Sequence, residues 1–110
     1  MGNVSDLTMP QYLAVRHILT SPAIVARATP HIGEDGFGWQ PLLVEAETMS
    51  SGESLLVRIA YDLWHAGDGV ALWELPRLLD RQSFRRVVEA LAFSRGELPE
   101  SGLEAVGVAA

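Results

Sequence analysis

The stretch Ser50–Gly67, SSGESLLVRIAYDLWHAG, constrains this chain more than any other. It carries its own start and stop signals. Ser50 with Glu53 is the S-x-x-E pattern of a capping box, in which each side chain accepts the other residue's backbone N–H. Gly67 offers the left-handed position at which a helix ends at low steric cost. At about 100° per residue, Leu55, Leu56, Val57, Ile59, Ala60, Tyr61, Leu63 and Trp64 cover roughly two-thirds of the circumference. Ser54, Arg58, Asp62 and His65 are left as a narrow polar strip. An arc that wide must be covered on several sides, so this helix is expected at the centre of the core.

Helical punctuation continues on either side. Thr8 and Gln11 form a second capping box, and Pro10 suits a first turn. That helix is expected to run to about Thr20, where Ser21-Pro22 ends it. Tyr12, Ala14, Val15, Ile18 and Leu19 share its apolar face; Arg16, His17 and Thr20 take the other. Residues 23–29 read as helical turns or as a strand. Residues 30–39 hold three glycines and read as a loop. Residues 40–49 favour helix, with Pro41 in a first turn, over a strand through LLVEA. Val70–Trp73 is expected to be an extended link and Glu74–Leu79 a short helix. Asp80 or Ser83 then caps a last helix to Arg95, with Phe84, Val87, Val88, Leu91 and Ala92 as its buried stripe. Residues 1–7 and 97–110 lack any pattern and are expected to be loose ends. The fold expected over residues 1–110 is a mainly α, small single-domain helical bundle of four to six helices, with room for one short hairpin or strand pair.

Composition narrows the function classes. A hydrophobic fraction of 48% supports a packed core and argues against global disorder. The absence of cysteine excludes disulfides and thiolate metal sites. No apolar run approaches the roughly 20 residues needed to span a bilayer. The opening MGNVSDLTM has neither the basic nor the apolar region of a secretory signal, and Asp6 breaks the myristoylation pattern begun by Gly2. A cytoplasmic location is expected. The net charge of −6 disfavours nucleic acid and anionic membranes as general partners. The charge is uneven, however. Leu75–Gly96 carries five arginines against Asp80 and Glu89, a net +3 that leaves −9 for the rest of the chain.

The sequence LWELPRLLDRQSFRRVVEALAFSRGEL, in the order helix, link, short helix, turn, longer helix, resembles the three-helix core of helix-turn-helix and winged-helix domains. That resemblance implies that Gln82, Ser83, Arg85 and Arg86 face a major groove while Arg77 and Arg81 meet phosphates. The chain departs from that pattern in a turn about two residues short, in Pro76 where the family prefers alanine, and in the lack of a wing after Gly96. The pattern SSGESLLVRIAYDLW…LDRQSFRRVVEAL…RG also resembles short uncharacterised proteins of high-GC, actinobacterial-type bacteria over Ser50–Gly96. The exclusive use of arginine among the eight basic residues fits such a source. That resemblance implies a small helical unit and carries no catalytic residues.

The side chains do not form a recognisable catalytic pattern. His17, His31 and His65 fall on a helix face, in a loop and at a helix end. Asp62, His65 and Asp68 have ligand-like spacing, but a histidine at a helix C-terminus is explained by the helix dipole. Arg58 and Asp62, four residues apart, read as a surface ion pair. His31, Glu34 and Asp35 read as a solvated turn, and Gly33, Gly36 and Gly38 match no phosphate-binding pattern. No catalytic, cofactor or metal residues are assigned, and the chain is expected not to be an enzyme. The stronger signal is for binding. Phe93 falls opposite the expected stripe, among Arg85, Arg86 and Glu89, the composition of an interface hot spot, unless Leu98 or Leu103 folds back over it. Arg85 and Glu89 could pair across a two-fold axis. Phe37 and Trp39 are expected to anchor their loop into the core, and Trp64 and Trp73 to be structural. The expected function is regulation, adaptation or inhibition through a protein partner or a homodimer; a degenerate helix-turn-helix DNA-binding regulator is the alternative.

Overall fold

The capping box at Ser50 forms as its chemistry dictates. The Ser50 hydroxyl accepts the Glu53 N–H at 3.3 Å, and the Glu53 carboxylate accepts the Ser50 N–H at 3.0 Å. A computed structural model of the chain describes residues 2–97, and the side chains among them from Met9 onward. The described residues form six α-helices: α1 Gly2–Leu19, α2 Val25–Ala28, α3 Trp39–Ala46, α4 Ser51–His65, α5 Glu74–Leu78 and α6 Arg81–Ser94. A 3-10 turn at Thr29–His31 follows α2. The expected mainly α single-domain bundle is the fold observed. The only pairing of extended residues described is one antiparallel bridge between Ile32 and Phe37, which closes the glycine loop.

The core lies where the apolar arc of α4 meets α1. Ala14, Val15, Ile18 and Leu19 of α1 and Leu55, Leu56, Val57 and Ala60 of α4 are fully buried. Helix α4 packs against α1, α3 and α5, and α1 packs in turn against α6. Helix α1 is therefore covered from two sides. Its second face, with His17 and Thr20, meets α6 and not solvent. The two ambiguous segments resolve as helix: residues 25–29 form α2 and the start of the 3-10 turn, and residues 40–46 belong to α3, which begins one residue earlier at Trp39. The expected anchoring of the loop aromatics is also observed. Phe37 stacks on Tyr12 at 5.2 Å and meets Trp64 edge-on at 5.1 Å, while Trp39 meets Tyr61 edge-on at 5.4 Å.

Four details differ from the sequence reading. First, helical backbone begins at Gly2, upstream of the expected start at Thr8, so Pro10 sits inside α1. Gln11 reaches across to α4, where its side-chain amide donates to the carbonyls of Leu63 (3.2 Å) and Trp64 (2.8 Å). Those carbonyls lie in the last turn of α4, where intrahelical donors run out.

Second, α4 ends on Ala66 in the left-handed conformation (φ 55°), not on Gly67. The N–H of Gly67 closes the turn onto the Asp62 carbonyl at 2.9 Å, and a Cβ on Gly67 would lie 2.8 Å from the Asp62 carboxylate. Gly67 serves this close approach, and the strained backbone falls one residue earlier. Third, Arg58 pairs with Glu74 of α5 at 3.0 Å and not with Asp62, tying α4 to α5. Fourth, Trp73 is not structural: it stands 62% exposed where the chain turns into α5. The expected loose tail, with Leu98 and Leu103, lies outside the described residues from position 98 onward.

Candidate functional site

The four residues singled out for partner binding lie on α6, whose N-terminus is fixed by Asp80. Its carboxylate accepts the Ser83 N–H at 2.8 Å, which holds its pKa below the usual aspartate value. From there the helix presents a face that differs from the expected one. Ser83, Val87, Ala90 and Phe93 are buried, whereas Phe84, Val88 and Leu91 are exposed by 37, 48 and 46%. The expected stripe is thus corrected by about one residue, which is about 100° of rotation. Small side chains at Ser83 and Ala90 flank Val87 on the buried side, and α1 is the helix against which α6 packs.

Phe93 is consequently a core residue and not a surface hot spot. Its ring meets the His17 imidazole edge-on at 4.8 Å. Arg86 donates twice to the His17 carbonyl, at 3.1 and 2.8 Å, and once to the Thr20 hydroxyl at 2.8 Å, so its guanidinium caps the C-terminal end of α1. Glu89 completes the seam with a 2.6 Å hydrogen bond to His17 Nε2. Burial of the imidazole is the largest influence on His17 and lowers its pKa, against the opposing pull of Glu89. Three of the four residues therefore hold α6 to α1, and only Arg85 remains exposed.

The other polar residues are similarly engaged. Glu45 of α3 accepts from His31 (3.0 Å) and from Arg27 (3.1 Å), which fastens α2 and the 3-10 turn to α3. Those hydrogen bonds, His31's first, lower the Glu45 pKa. Glu74 is held low by Arg58 first and by the Ala71 N–H second. His65 donates through Nδ1 to the Tyr61 carbonyl at 2.8 Å, within its own helix. Glu34 and Asp35 are exposed and do not join His31. Among the described residues no three or more metal-ligating side chains gather in one place. No described helix is long and apolar enough to cross a membrane.

The side chains that sequence reasoning assigned to the core create the most distinctive surface. Phe84 and Val88 form a ridge on the outer face of α6. On one side of it a hollow is lined by Leu72, Trp73, Leu75 and Leu91, and on the other a hollow runs past Leu79, Arg85 and Ala92 to Glu97. Pro76 of α5 lines both, so the two hollows lie side by side across the ridge. Leu72 at 82% and Trp73 at 62% exposure extend its apolar surface beyond α6. The signal for it was present as a second apolar line, Phe84–Val88–Leu91, parallel to the line that is buried. Comparison of the chain with family models, with curated proteins and with solved structures found no match.

Proposed function

We propose that this chain is a non-catalytic regulatory, adaptor or inhibitor domain of the cytoplasm that binds another protein through the groove between α5 and α6. One observation carries the reading: Leu72, Trp73, Phe84, Val88 and Leu91 stand exposed together on one face of a folded domain. Covering the exposed remainder of these side chains is favourable at roughly 25 cal/mol per Å² of apolar surface. Contiguous apolar patches of this kind mark interaction sites. The polar side chains support the same reading from the other direction, because His17, His31, Glu45, Glu74 and Glu89 are each engaged in joining helices.

DNA binding through Gln82, Ser83, Arg85 and Arg86 has less support. Ser83 is buried and Arg86 is occupied by α1, and the outward face of α6 is apolar where a recognition helix needs donors and acceptors. Capture experiments separate the two readings. Wild-type chain immobilised against extract of the cells that make it is expected to retain proteins that Val88→Glu does not retain. Val44→Glu, on the 64% exposed position of α3, is expected to retain them all. Loss with both variants, or with neither, contradicts the docking reading. A mobility shift with duplex DNA at low salt, abolished by Arg81→Ala with Arg85→Ala, would instead establish the DNA reading.

A further inference from the structure

The end of α6 sends the chain back toward the helix's own outer flank. Gly96 stands at φ 90°, a backbone conformation that favours glycine. Its N–H donates to the Phe93 carbonyl at 2.8 Å, and the Glu97 N–H donates to the Ala92 carbonyl at 3.2 Å. That pair of bonds is the Schellman motif, which ends a helix and turns the chain back over its last turn. The turn delivers Glu97 to the hollow that runs past Ala92, Phe84 and Leu79. The described residues therefore end on the lip of a depression of about 740 Å³, within the roughly 300–1,000 Å³ of binding pockets. Its rim carries charges of both signs, Arg81 and Arg85 beside Asp80, Glu89 and Glu97, so its apolar lining and not its charge selects an occupant.

We infer that residues 98–110 of this same chain fill the hollow. Leu98 seats beside Ala92, and Leu103 reaches Leu79 and Pro76 at the far end. Three observations select this occupant. The sequence after Glu97, LPESGLEAVGVAA, supplies the two leucines. The lengths agree: Pro99 favours an extended Leu98, the five extended steps from Leu98 to Leu103 cover about 17 Å, and from Ala92 to Arg81 the hollow runs about 16 Å along α6. Tethering at the lip gives the segment an effective concentration on the order of millimolar, an advantage that a second copy or a separate protein lacks. The inference goes beyond the docking reading and does not rest on it, because Leu72, Trp73, Leu75 and Leu91 line the other hollow.

The chain contains no cysteine, so an introduced pair reports a single contact. Leu103→Cys is combined either with Arg81→Cys, beside the hollow, or with Leu91→Cys, across the ridge; both helix positions are exposed. Leu91 lies about 15 Å nearer than Arg81 to the end of α6, so an undocked segment meets it more often. Oxidised glutathione is added to the dilute 110-residue chain, and disulfide closure is followed by intact mass. The 81–103 pair is expected to close at least about tenfold faster than the 91–103 pair. Adding Leu98→Asp should remove that preference. Each variant is checked to melt like the wild type, and Arg85→Cys replaces Arg81→Cys if the melt shifts. Equal rates, or faster closure at Leu91, would overturn the inference. A covalent dimer in place of the closed monomer would assign the hollow to a second copy and overturn it as well. The docking reading keeps its own test in the capture experiment with Val88→Glu.

Discussion

Helices α4 and α6 are of nearly equal length, 15 and 14 residues, and both begin on a side-chain cap, yet they use their apolar residues in opposite ways. Helix α4 turns its bulk inward. Leu55, Leu56 and Val57 are fully buried between α1, α3 and α5. Helix α6 turns small residues inward, Ser83 and Ala90 beside Val87, and adds Phe93, Arg86 and Glu89 as specific contacts to α1. Its bulk faces out. The comparison shows how a helix can dock firmly without using its largest apolar surface. Part-buried polar contacts to α1 take the place of area, and Phe84, Val88 and Leu91 remain partly exposed.

The largest expected effect that could break this comparison is on stability. Leu56→Ala in α4 should cost about 2–5 kcal/mol. Leu91→Ala in α6, at an exposed position, should stay within about 0.5 kcal/mol. Urea unfolding of the two variants checks this, and equal costs would mean that the outer face of α6 is packed. Next comes the contact between α4 and α5. A Cβ on Gly52 would lie 2.7 Å from the Leu78 carbonyl oxygen. Gly52→Ala should therefore push α5 away and lower stability by about 1–3 kcal/mol, which a thermal melt would register.

A third expectation sharpens the account of the α1–α6 seam. The His17 pKa is depressed below its ordinary value of 6.5, chiefly by burial, with Glu89 opposing and Arg86 reinforcing the shift. The unfolded chain therefore takes up a proton that the folded chain resists. The stability contribution is complete above about pH 6.5 and is lost as the pH falls through that value toward the folded pKa. Glu45, Glu74 and Asp80, whose pKa values are also lowered, lose their contributions only in the lower carboxylate range. Between about pH 7 and pH 5 stability should fall, and His17→Gln should flatten that slope. An unchanged slope would remove His17 from the account. The smallest expected effect is at the end of α4, where Ala66→Gly should relieve the left-handed strain and gain about 0.5–1 kcal/mol.

Most of the fold was legible because α4 carries unambiguous signals: the Ser50–Glu53 box, a wide apolar arc and a glycine just past its end. The face of α6 was less legible for a definite reason. The lines 83–87–90 and 84–88–91 have the same helical spacing and differ by a single residue. Weighing by bulk selects the second line, because nothing local reveals that Ser83 and Ala90 are buried. Arg86 and Glu89 read as surface charges because their partners, His17 and Thr20, lie more than sixty residues away. Arg58 was misassigned for the same reason: Asp62 is its helical neighbour, but Glu74 is the carboxylate that α5 delivers to it. Of the four residues named for binding, three thus turn toward α1 and only Arg85 stands on the exposed side of α6.

The central claim is that α6 binds α1 through Phe93 and offers Phe84 to solvent, and one pair of variants tests it most directly. Equilibrium urea unfolding should show Phe93→Ala destabilised by about 3–5 kcal/mol and Phe84→Ala, at a side chain 37% exposed, by distinctly less. A larger loss at Phe84 than at Phe93 would reverse the faces of α6 and contradict the account.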